Sequence, residues 1–230
     1  MNQFGISFVF PMFNEFENIG NTISRASKLA MELTNDYEIV VVDDASTDKS
    51  VETVKAIAEK DPHIKIICLK ANTKMGGAIK EGLKSVSKEV IIYTDSDFPA
   101  KEEDIKNALN MLGEADIVTS YSLVIKDPKL IRIIMSKTYN FLVQLFFGLD
   151  ILDINGALKI YKKKVLKVIK PKSNSPFIHP EIFAEAVKNG FNIKQYGVIF
   201  EPRTKGKSSV AKISVIARTI SDMLVYRFSR

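Results

Sequence analysis

The triplet Asp95-Ser96-Asp97 is the segment of this sequence with the clearest chemical potential. Two carboxylates separated by one small residue can both face a hard cation such as Mg²⁺ or Mn²⁺. The cation would bridge them to a diphosphate and neutralise the charge that builds there as a bond breaks. Many Asp-x-Asp triplets are only solvated turns, so the apolar run 90–94 directly before this one is what favours a binding role.

A second acidic segment, residues 43–48 with the sequence DDASTD, also follows an apolar run. Ser46 or Thr47 can cap a following helix, and Asp48 favours the positive end of that helix. Capping does not account for Asp43 and Asp44. Their carboxylates can accept hydrogen bonds from a base imide or a ribose hydroxyl, as strand-end acids do in other nucleotide sites.

A third segment, residues 10–15 with the sequence FPMFNE, follows the first apolar run of the chain. It predicts a strand that ends in a proline-shaped turn, with Asn14 or Glu15 near the following helix. The edges of such a turn can also form one wall of a nucleotide pocket.

The elements that must position these segments alternate between short β-branched runs and amphipathic stretches. The predicted strands are residues 6–10, 38–42, 65–69, 90–94 and 117–120. The predicted helices are residues 17–33, 49–59, 76–86 and 102–112. Strands without polar alternation, separated by amphipathic helices, are typical of an α/β fold with a Rossmann-like, mostly parallel sheet and helices on both faces.

Acidic residues stand at the carboxyl ends of these predicted strands, the edge at which such sheets bind ligands. Glu15 follows the first strand, Asp43 and Asp44 end the second, and Asp95 and Asp97 follow the fourth. Carboxylates that converge on one edge repel one another unless a cation lies between them. The arrangement therefore indicates a metal site.

The second half of the chain is less regular. A long apolar helix is predicted at 130–149, a strand at 157–161, a helix at 181–188 and a strand at 193–200. A loop at 201–209 and an amphipathic helix at 210–226 follow. The last helix carries basic residues among apolar ones. It can lie in a membrane interface facing anionic headgroups, or it can pack on its own domain.

Composition is that of a globular chain, since 46% of its 230 residues are hydrophobic and 26% are charged. This length fits one domain, or one domain with a modest extension. The net charge of +6 favours anionic partners. The single cysteine, Cys68, excludes an internal disulfide and a cysteine-based zinc site, and its apolar neighbours predict a buried thiol.

Targeting signals are not apparent in the sequence. No basic stretch followed by an apolar core opens the chain, so no signal peptide is predicted. The longest apolar region, near residues 139–149, is shorter than the roughly 20 residues that span a bilayer. These features predict a cytoplasmic protein that can rest peripherally on the cytoplasmic face of a membrane.

Together, the three acidic and proline-containing segments resemble the family-2 glycosyltransferases of the GT-A fold. That family has, in order, a Pro-x-x-Asn-Glu turn, an Asp-Asp-x-Ser-x-Asp segment and an Asp-x-Asp triplet. This chain has them at 11–15, 43–48 and 95–97. Its stretch 72–82 also fits the Asn- and Gly-containing segment after the family's third strand. The resemblance covers about residues 5–120 and rests on the ordered set.

The resemblance implies Mg²⁺ or Mn²⁺ held by Asp95 and Asp97, with Asp97 also catalytic. The nucleotide-sugar site that it implies consists of Pro11, Phe13, Glu15, Val42, Asp43, Asp44, Lys74, Asp95 and Ser96. It also divides the single domain, residues 1–230, into a nucleotide-sugar-binding half at 1–122 and an acceptor-binding half at 123–230. The acceptor half ends in the helix that can contact a membrane.

The second half resembles, less fully, the polyprenyl-phosphate (dolichyl-phosphate) mannose and glucose synthases. In that group an Arg-x-x-x-Ser helix start is linked to the acceptor phosphate, and Arg132 and Ser136 have this spacing. The loop 203–208 is similar to the group's Arg-x-x-Gly-x-Ser loop near the diphosphate. The resemblance thereby implies catalytic roles for Arg132 and Arg203, and acceptor-phosphate contacts from Arg132, Ser136 and Lys207.

Several positions depart from that group. The segment 153–157 differs from its Asp-x-x-Ser-Gly-Phe pattern at Asn155 and Ala157. Pro99 stands where the mannose enzymes often carry a metal-binding Gln, and Tyr121 replaces an acceptor-side Arg. The missing Gln and the Gly-Gly-Ala at 76–78 favour the glucose-type relatives, and the donor sugar is left open.

The reaction implied by the resemblance is inverting transfer of a hexose, mannose or glucose, from a GDP- or UDP-sugar to a polyprenyl phosphate. That acceptor is anionic near neutral pH, so it attacks without a strong general base, and positioning and charge neutralisation carry the catalysis. The first alternative is a family-2 enzyme acting on a saccharide hydroxyl. That acceptor would require a base, for which Asp153 and Glu181 are candidates.

Other classes fit the sequence less well. A dinucleotide oxidoreductase needs Gly-x-Gly-x-x-Gly after the first strand, and none is there. Nucleic acid is not an expected partner, because no motif interleaves aromatic and basic residues. A nucleotidyltransferase, which also uses a metal and strand-end carboxylates, is the second alternative, although it usually has a glycine-rich basic loop after the first strand. The oligomeric state is left open.

Overall fold

One sheet organises the chain in the computed structural model, which describes residues 4–124, 130–203, 205 and 213–228. Its strands are β1 (Ile6–Met12), β2 (Tyr37–Asp43), β3 (Ile64–Cys68), β4 (Val90–Thr94), β5 (Ile117–Ser122), β6 (Leu158–Lys162) and β7 (Ile193–Val198). They lie in the order β3-β2-β1-β4-β6-β5-β7. Each matches a strand predicted from the sequence to within two residues at either end.

The helices are α1 (Ile19–Leu33), α2 (Ser50–Ala58), α3 (Lys74–Ser85), α4 (Glu102–Asn110), α5 (Leu130–Phe147), α6 (Lys163–Val168), α7 (Ile178–Lys188) and α8 (Ile213–Phe228). A short 3₁₀ turn, Met111–Gly113, follows α4. The sequence pattern did not predict α6. Helix α7 begins three residues earlier than predicted, since Pro180 lies in its first turn, where a missing backbone N–H costs no intrahelical bond.

The sheet is mostly parallel, which confirms the predicted α/β class. β1 runs parallel to β2 and β4, β2 to β3, and β5 to β7. β6 is reversed and lies between β4 and β5, antiparallel to both. Because β6 is reversed, its first residue pairs with the last residue of β4, in the register Thr94↔Leu158. The segment before β6 therefore meets the carboxyl ends of the parallel strands.

Alternating residues of the central strands enter two cores, one on each face of the sheet. On β1, Phe8 and Phe10 pack on the side of α1, and Val9 packs on the side of α3. All three are fully buried, and each such side chain contributes about 1.5–3 kcal/mol. Gly82 lets α3 approach closely, because a Cβ there would lie 2.5 Å from a methyl carbon of Val9.

The predicted burial of Cys68 is wrong. Cys68 ends β3, which is the last strand at one side of the sheet, and it is exposed. The apolar run that suggested a buried thiol is covered on only part of its surface. A short apolar run does not distinguish an edge strand from a central one.

Candidate functional site

Strained backbone marks the carboxyl edge of the sheet. Asn14 (φ 55°), Ala45 (φ 61°), Lys74 (φ 71°) and Phe98 (φ 46°) are, in the described part of the chain, the non-glycine residues with positive φ. One of them follows each of β1, β2, β3 and β4, and Lys74 is also the first residue of α3. Such residues cost about 1–3 kcal/mol each and cluster at functional sites. None of these four residues is glycine, so the positive φ values could not be predicted from residue type.

Hydrogen bonds tie the connections after β1 and β2 to each other. The backbone N–H of Asn14 donates to Ser46 Oγ at 2.9 Å, and the N–H of Thr47 donates to Asn14 Oδ1 at 2.8 Å. The N–H of Glu15 donates to Ser50 Oγ at 2.9 Å. Glu15 is thus fixed at the edge by the start of α2.

The predicted capping of a helix by Ser46 or Thr47 is wrong. Helix α2 begins at Ser50, four residues after Ser46, and the Ser46 hydroxyl accepts the bond from Asn14 instead. Asp48 supports the helix start as predicted, because its Oδ1 accepts the N–H of Ser50 at 3.0 Å. The other oxygen, Oδ2, accepts the N–H of Phe16 at 3.2 Å.

Asp43 and Asp44 are buried at this edge and organise the same loops. Both oxygens of Asp43 accept the N–H of Ser46 at 3.2 Å. Oδ1 of Asp44 accepts the N–H of Thr73 and, at 2.9 Å, its hydroxyl. A carboxylate has about four acceptor positions, so both side chains keep capacity for a ligand. Their contact with a nucleoside stays a prediction.

Asp95 and Asp97 are close enough to influence each other's charge. Burial and then the charge of Asp97 raise the pKa of Asp95 to about 6, against the opposing effects of a Tyr93 hydrogen bond and of Lys159 and Arg203. The Tyr93 hydroxyl donates to Asp95 Oδ1 at 2.9 Å. The pair is therefore held in place at an electrostatic cost that a cation would relieve.

Arg203 reaches this pair from the loop after β7. Its Nε donates to Asp97 Oδ2 at 2.8 Å, and its Nη2 donates to Glu15 Oε1 at 2.8 Å. The structure thus brings together three residues that the sequence assigned to the site from segments far apart in the chain. No pattern in the sequence predicted the contact with Glu15.

A buried polar cluster beneath Asp95 was missed by sequence reasoning. Lys159 is fully buried on β6, opposite Tyr93 in register, and its Nζ donates to the carbonyl oxygen of Gly156. Burial lowers the pKa of Lys159 to about 8, although Asp95 and Asp153 act to raise it. A lysine within the apolar strand 158–161 was the available signal.

His179 completes this cluster from α7. Its ring lies 5.1 Å from that of Tyr93 and is almost fully buried. Burial, and then the nearby Lys159, hold the pKa of His179 well below its usual range. The imidazole is therefore neutral and packs behind the tyrosine that orients Asp95.

The two candidate bases differ in their surroundings. Asp153 precedes the reversed strand β6 and so lies at the site edge, and burial raises its pKa against the effect of Lys159. Glu181 is buried in α7, where its carboxylate accepts the backbone N–H groups of Lys172 at 3.0 Å and Ser173 at 2.8 Å. Glu181 therefore holds a loop, and the structure gives no support to its candidacy as a base.

The other predicted residues occupy varied positions. The Ser96 hydroxyl donates to the carbonyl oxygen of Pro11, so both residues join β1 to the triplet 95–97. Val42 is fully buried within β2. Phe13 and Lys74 are exposed at the edge, and Ser136 is exposed on α5. The side chain of Arg132 and the whole of Lys207 lie outside the described residues.

A cavity of about 440 Å³ adjoins Asp97 and Arg203. Its polar lining includes Asn18, directly before α1, and Asn21 and Arg25 of α1. A larger groove of about 620 Å³ lies at the opposite edge of the sheet and contains none of the predicted site residues. Four lysines, Glu89, Asn110 and several apolar residues line it. The carboxylate chemistry therefore belongs with the smaller cavity.

Asp95 and Asp97 fit a divalent ion that also binds a nucleotide. Over the described ranges, no group of three or more His, Cys, Asp or Glu side chains is arranged to hold a metal. Mg²⁺ is commonly held by one or two carboxylates together with substrate phosphates. Two repelling carboxylates beside a polar cavity match that mode of binding better than a closed structural site.

No helix in the described part of the chain is both long enough and apolar enough to cross a bilayer.

Solved structures show where this architecture has been seen. The chain is similar to glucosyl-3-phosphoglycerate synthase from Mycobacterium tuberculosis, crystallised with Mn²⁺ and UDP-glucose, with a TM-score of 0.73 and 17% identity over 99% of this chain and 80% of that one. A complex of the same enzyme with phosphoglyceric acid gives a TM-score of 0.72 and 18% identity over 95% and 80%. These likenesses establish a GT-A type of glycosyltransferase fold.

Sequence comparison identifies the family. The family model for glycosyl transferase family 2 matches residues 7–170. Undecaprenyl-phosphate 4-deoxy-4-formamido-L-arabinose transferases from Yersinia enterocolitica and Yersinia pseudotuberculosis are 30% identical over 165 residues, covering 71% of this chain and 50% of each relative. The chain therefore belongs to glycosyltransferase family 2. It spans about half the length of these curated relatives.

Proposed function

We propose that this chain is an inverting, metal-dependent glycosyltransferase that moves a sugar from a nucleotide sugar to a polyprenyl phosphate. The observation that carries the proposal is the coupled pair Asp95 and Asp97 at the ligand-binding edge, faced by Arg203. The acceptor class is supported by the relatives that are named for transfer to undecaprenyl phosphate. A hexose from a UDP- or GDP-sugar is the donor that we propose.

The donor half of the site would act through charge. Asp95 and Asp97 would hold Mg²⁺ or Mn²⁺, which when bound neutralises charge on the leaving diphosphate. Tyr93 orients Asp95 through its hydroxyl, and Ser96 holds the triplet against β1. Arg203 supplies a further positive charge at the same edge, where fixed charges need no reorganisation during the reaction.

The acceptor half would place an anionic nucleophile near the sugar. Arg132 and Ser136 belong to the first two turns of α5, which makes them candidates for the acceptor phosphate. A phosphate is already ionised, so this chemistry needs no general base. Asp153 lies at the edge with a raised pKa and is the residue available if the acceptor is a hydroxyl.

An apolar surface on α5 and α8 supports peripheral contact with the membrane that holds such a lipid. On α5, Phe141 and Leu145 are 60% and 65% exposed, and on α8, Val225 and Phe228 are 60% and 76% exposed. The exposed basic residues Lys137, Arg218 and Arg227 lie on the same two helices. An apolar face with nearby cations matches an anionic lipid interface.

The decisive experiment incubates the purified chain with a panel of UDP- and GDP-sugars, a short polyprenyl phosphate and Mn²⁺. We expect a lipid-linked sugar from one donor, and no product after chelation. Transfer only to a saccharide acceptor would reject the lipid acceptor and keep the donor half of the proposal. Hydrolysis or nucleotidyl transfer without sugar transfer would reject the whole proposal.

Membrane contact is tested by co-sedimentation with vesicles containing anionic lipid. The double substitution Phe141→Ser and Leu145→Ser should reduce the bound fraction several-fold, because it removes exposed apolar area without opening the core. The matched control is Met31→Ser on α1, which is 51% exposed and far along the chain from either helix. Equal losses in both proteins would contradict the assignment of this surface.

A further inference from the structure

The loop that carries Arg203 is fastened on both sides of that residue. Before it, the backbone N–H of Glu201 donates to the carbonyl oxygen of Pro99 at 2.8 Å. After it, the carbonyl oxygen of Lys205 accepts Asn18 Nδ2 at 3.5 Å. Arg203 is therefore presented to the carboxyl edge by contacts with the residue before α1 and with the segment after Asp97.

Arg203 forms ion pairs with two carboxylates, Glu15 and Asp97, which differ in the contacts that hold them. Glu15 and Asp97 have side-chain exposures of 13% and 15%, so both ion pairs are shielded from water. Glu15 is held firmly, because its Oε2 accepts Asn18 Nδ2 at 2.7 Å and its N–H donates to Ser50 Oγ. Asp97 belongs to the candidate metal pair.

A metal ion and Arg203 would compete for Asp97. The guanidinium already donates to Asp97 Oδ2, and two cations at one oxygen repel each other. Glu15 lies outside the metal pair, so a metal ion leaves the contact between Glu15 and Arg203 intact. Arg203 then stays at the edge through Glu15, and the Nε–H group that had bonded to Asp97 is available to a diphosphate.

We propose that Glu15 is a positioning residue: it retains Arg203 at the site edge while the metal ion takes over Asp97. This inference rests on the proposed function, because it requires a metal and a diphosphate at this edge. It differs from the role implied by family resemblance, in which Glu15 contacts the nucleotide sugar itself. Glu15 acts on the donor only through the arginine.

Competition is tested with Mn²⁺ alone, by titration calorimetry without nucleotide. Arg203→Met should bind Mn²⁺ several-fold more tightly than the wild type, because Asp97 is released from its ion pair. Asp97→Asn should bind it weakly. Unchanged Mn²⁺ affinity in Arg203→Met would overturn the competition, since an arginine that only binds phosphate has no effect on metal alone.

Positioning is tested with a double-mutant cycle, using UDP or GDP, whichever binds the wild type, at saturating Mn²⁺. Glu15→Gln should weaken nucleotide binding about tenfold in the wild type and less than about twofold in the Arg203→Met background. Glu15→Asp should recover part of the loss. An equal loss in both backgrounds would overturn the proposal, because it would mean that Glu15 contacts the nucleotide directly.

The control cycle uses Glu32→Gln and Lys106→Met, an exposed ion pair with a 2.7 Å contact between α1 and α4. We expect no change in nucleotide affinity there. Circular dichroism establishes that each variant is folded, and Glu15→Asp serves if Glu15→Gln is not. A wild-type chain without metal-dependent nucleotide binding would reject the proposed function and this inference together. If the wild type binds nucleotide with metal but the effects of Glu15→Gln and Arg203→Met on affinity are fully additive, only the inference about Glu15 is rejected.

Discussion

Glu38 and Asp95 are both acidic residues in desolvated surroundings, but they lie at opposite edges of the same sheet. Burial alone would raise the pKa of Glu38, yet hydrogen bonds from Lys65, Ser7 and Ser87 outweigh it and lower that pKa to about 2. For Asp95, burial and Asp97 prevail over the Tyr93 hydrogen bond and raise the pKa to about 6. The number of donors around each carboxylate decides the direction.

The difference separates a carboxylate that stabilises the fold from one that is kept for a ligand. Glu38 accepts bonds from two hydroxyls, an ammonium and a backbone N–H, so its charge is satisfied internally. Asp95 accepts a hydrogen bond from the Tyr93 hydroxyl and has a carboxylate neighbour, Asp97. Backbone strain follows the same division, since the positive-φ residues identified above lie at the edge of Asp95.

The largest effect should come from removing the charge of Asp95. Asp95→Asn should reduce turnover about 10³-fold, because a neutral amide is a poor ligand for a divalent ion. The free energy of unfolding at about pH 8 should rise by about 1 kcal/mol, since a repelled carboxylate is lost. Steady-state kinetics and urea unfolding measure the two quantities. If Asp95→Asn were inactive because it is unfolded, Asp95 would be a fold-stabilising carboxylate like Glu38, and the distinction between the two would be wrong.

Removing the carboxylate of Glu38 should lower the free energy of unfolding and leave turnover nearly unchanged. Glu38→Ala leaves Ser7 and the N–H of Ser87 without their buried acceptor, so the free energy of unfolding should fall by about 2–4 kcal/mol. Turnover per folded molecule should stay within about twofold of the wild type. The same two assays apply, and a loss of turnover in the folded variant would show that the two edges are coupled.

The pH dependence should separate the two carboxylates as well. The folded protein holds a proton on Asp95 below about pH 6, whereas the unfolded chain releases it near pH 4, so the contribution of Asp95 to stability falls as pH rises between these values. Mn²⁺ binds the ionised form. Its affinity should therefore drop about tenfold per unit below about pH 6.

Calorimetry between about pH 5 and pH 7 checks the metal affinity, with Asp95→Asn as the control that should lack this dependence. Glu38, whose pKa is lowered to about 2, contributes stability above about pH 4 and loses it only as the pH falls towards 2. A Mn²⁺ affinity that does not change between about pH 5 and pH 7 would contradict the raised pKa of Asp95.

The smallest effect concerns backbone strain. Ala45→Gly should raise the free energy of unfolding by about 1 kcal/mol, because glycine adopts positive φ without penalty. Ala56, exposed within α2, provides the same substitution in a helix, where it should lower stability by about 1 kcal/mol. Urea unfolding compares Ala45→Gly with Ala56→Gly. If both substitutions lower the free energy of unfolding, Ala45 is not strained.

Local patterns allowed much of the fold to be predicted. The central strands are buried on both faces and read as continuous apolar runs, so β1, β2 and β4 were located closely. Asp95 and Asp97 were found because both carboxylates occur in one short segment after such a run. Arg203 was assigned only through resemblance to a family loop.

The remainder depends on contacts between distant segments. The pairing of Arg203 with Glu15 joins residues 188 positions apart, which no local pattern reveals. Lys159 was missed because its partners, Tyr93 and Asp153, come together only when β6 inserts in reverse. The burial of Cys68 was wrong because the strand's place in the sheet order was unknown. Tertiary context decided each of these cases.

The reversed strand β6 has a consequence for how the protein is made. β5 pairs with β6 and β7, both of which are synthesised later, so it leaves the ribosome with no neighbour in the sheet. β4 likewise waits for β6 on one side. A polypeptide cut after residue 122 would expose the unpaired edge of β4, and exposed strand edges promote aggregation. The segments that carry Glu15, Asp43 and Asp95 are therefore expected to reach their final arrangement only when the later half of the chain has emerged.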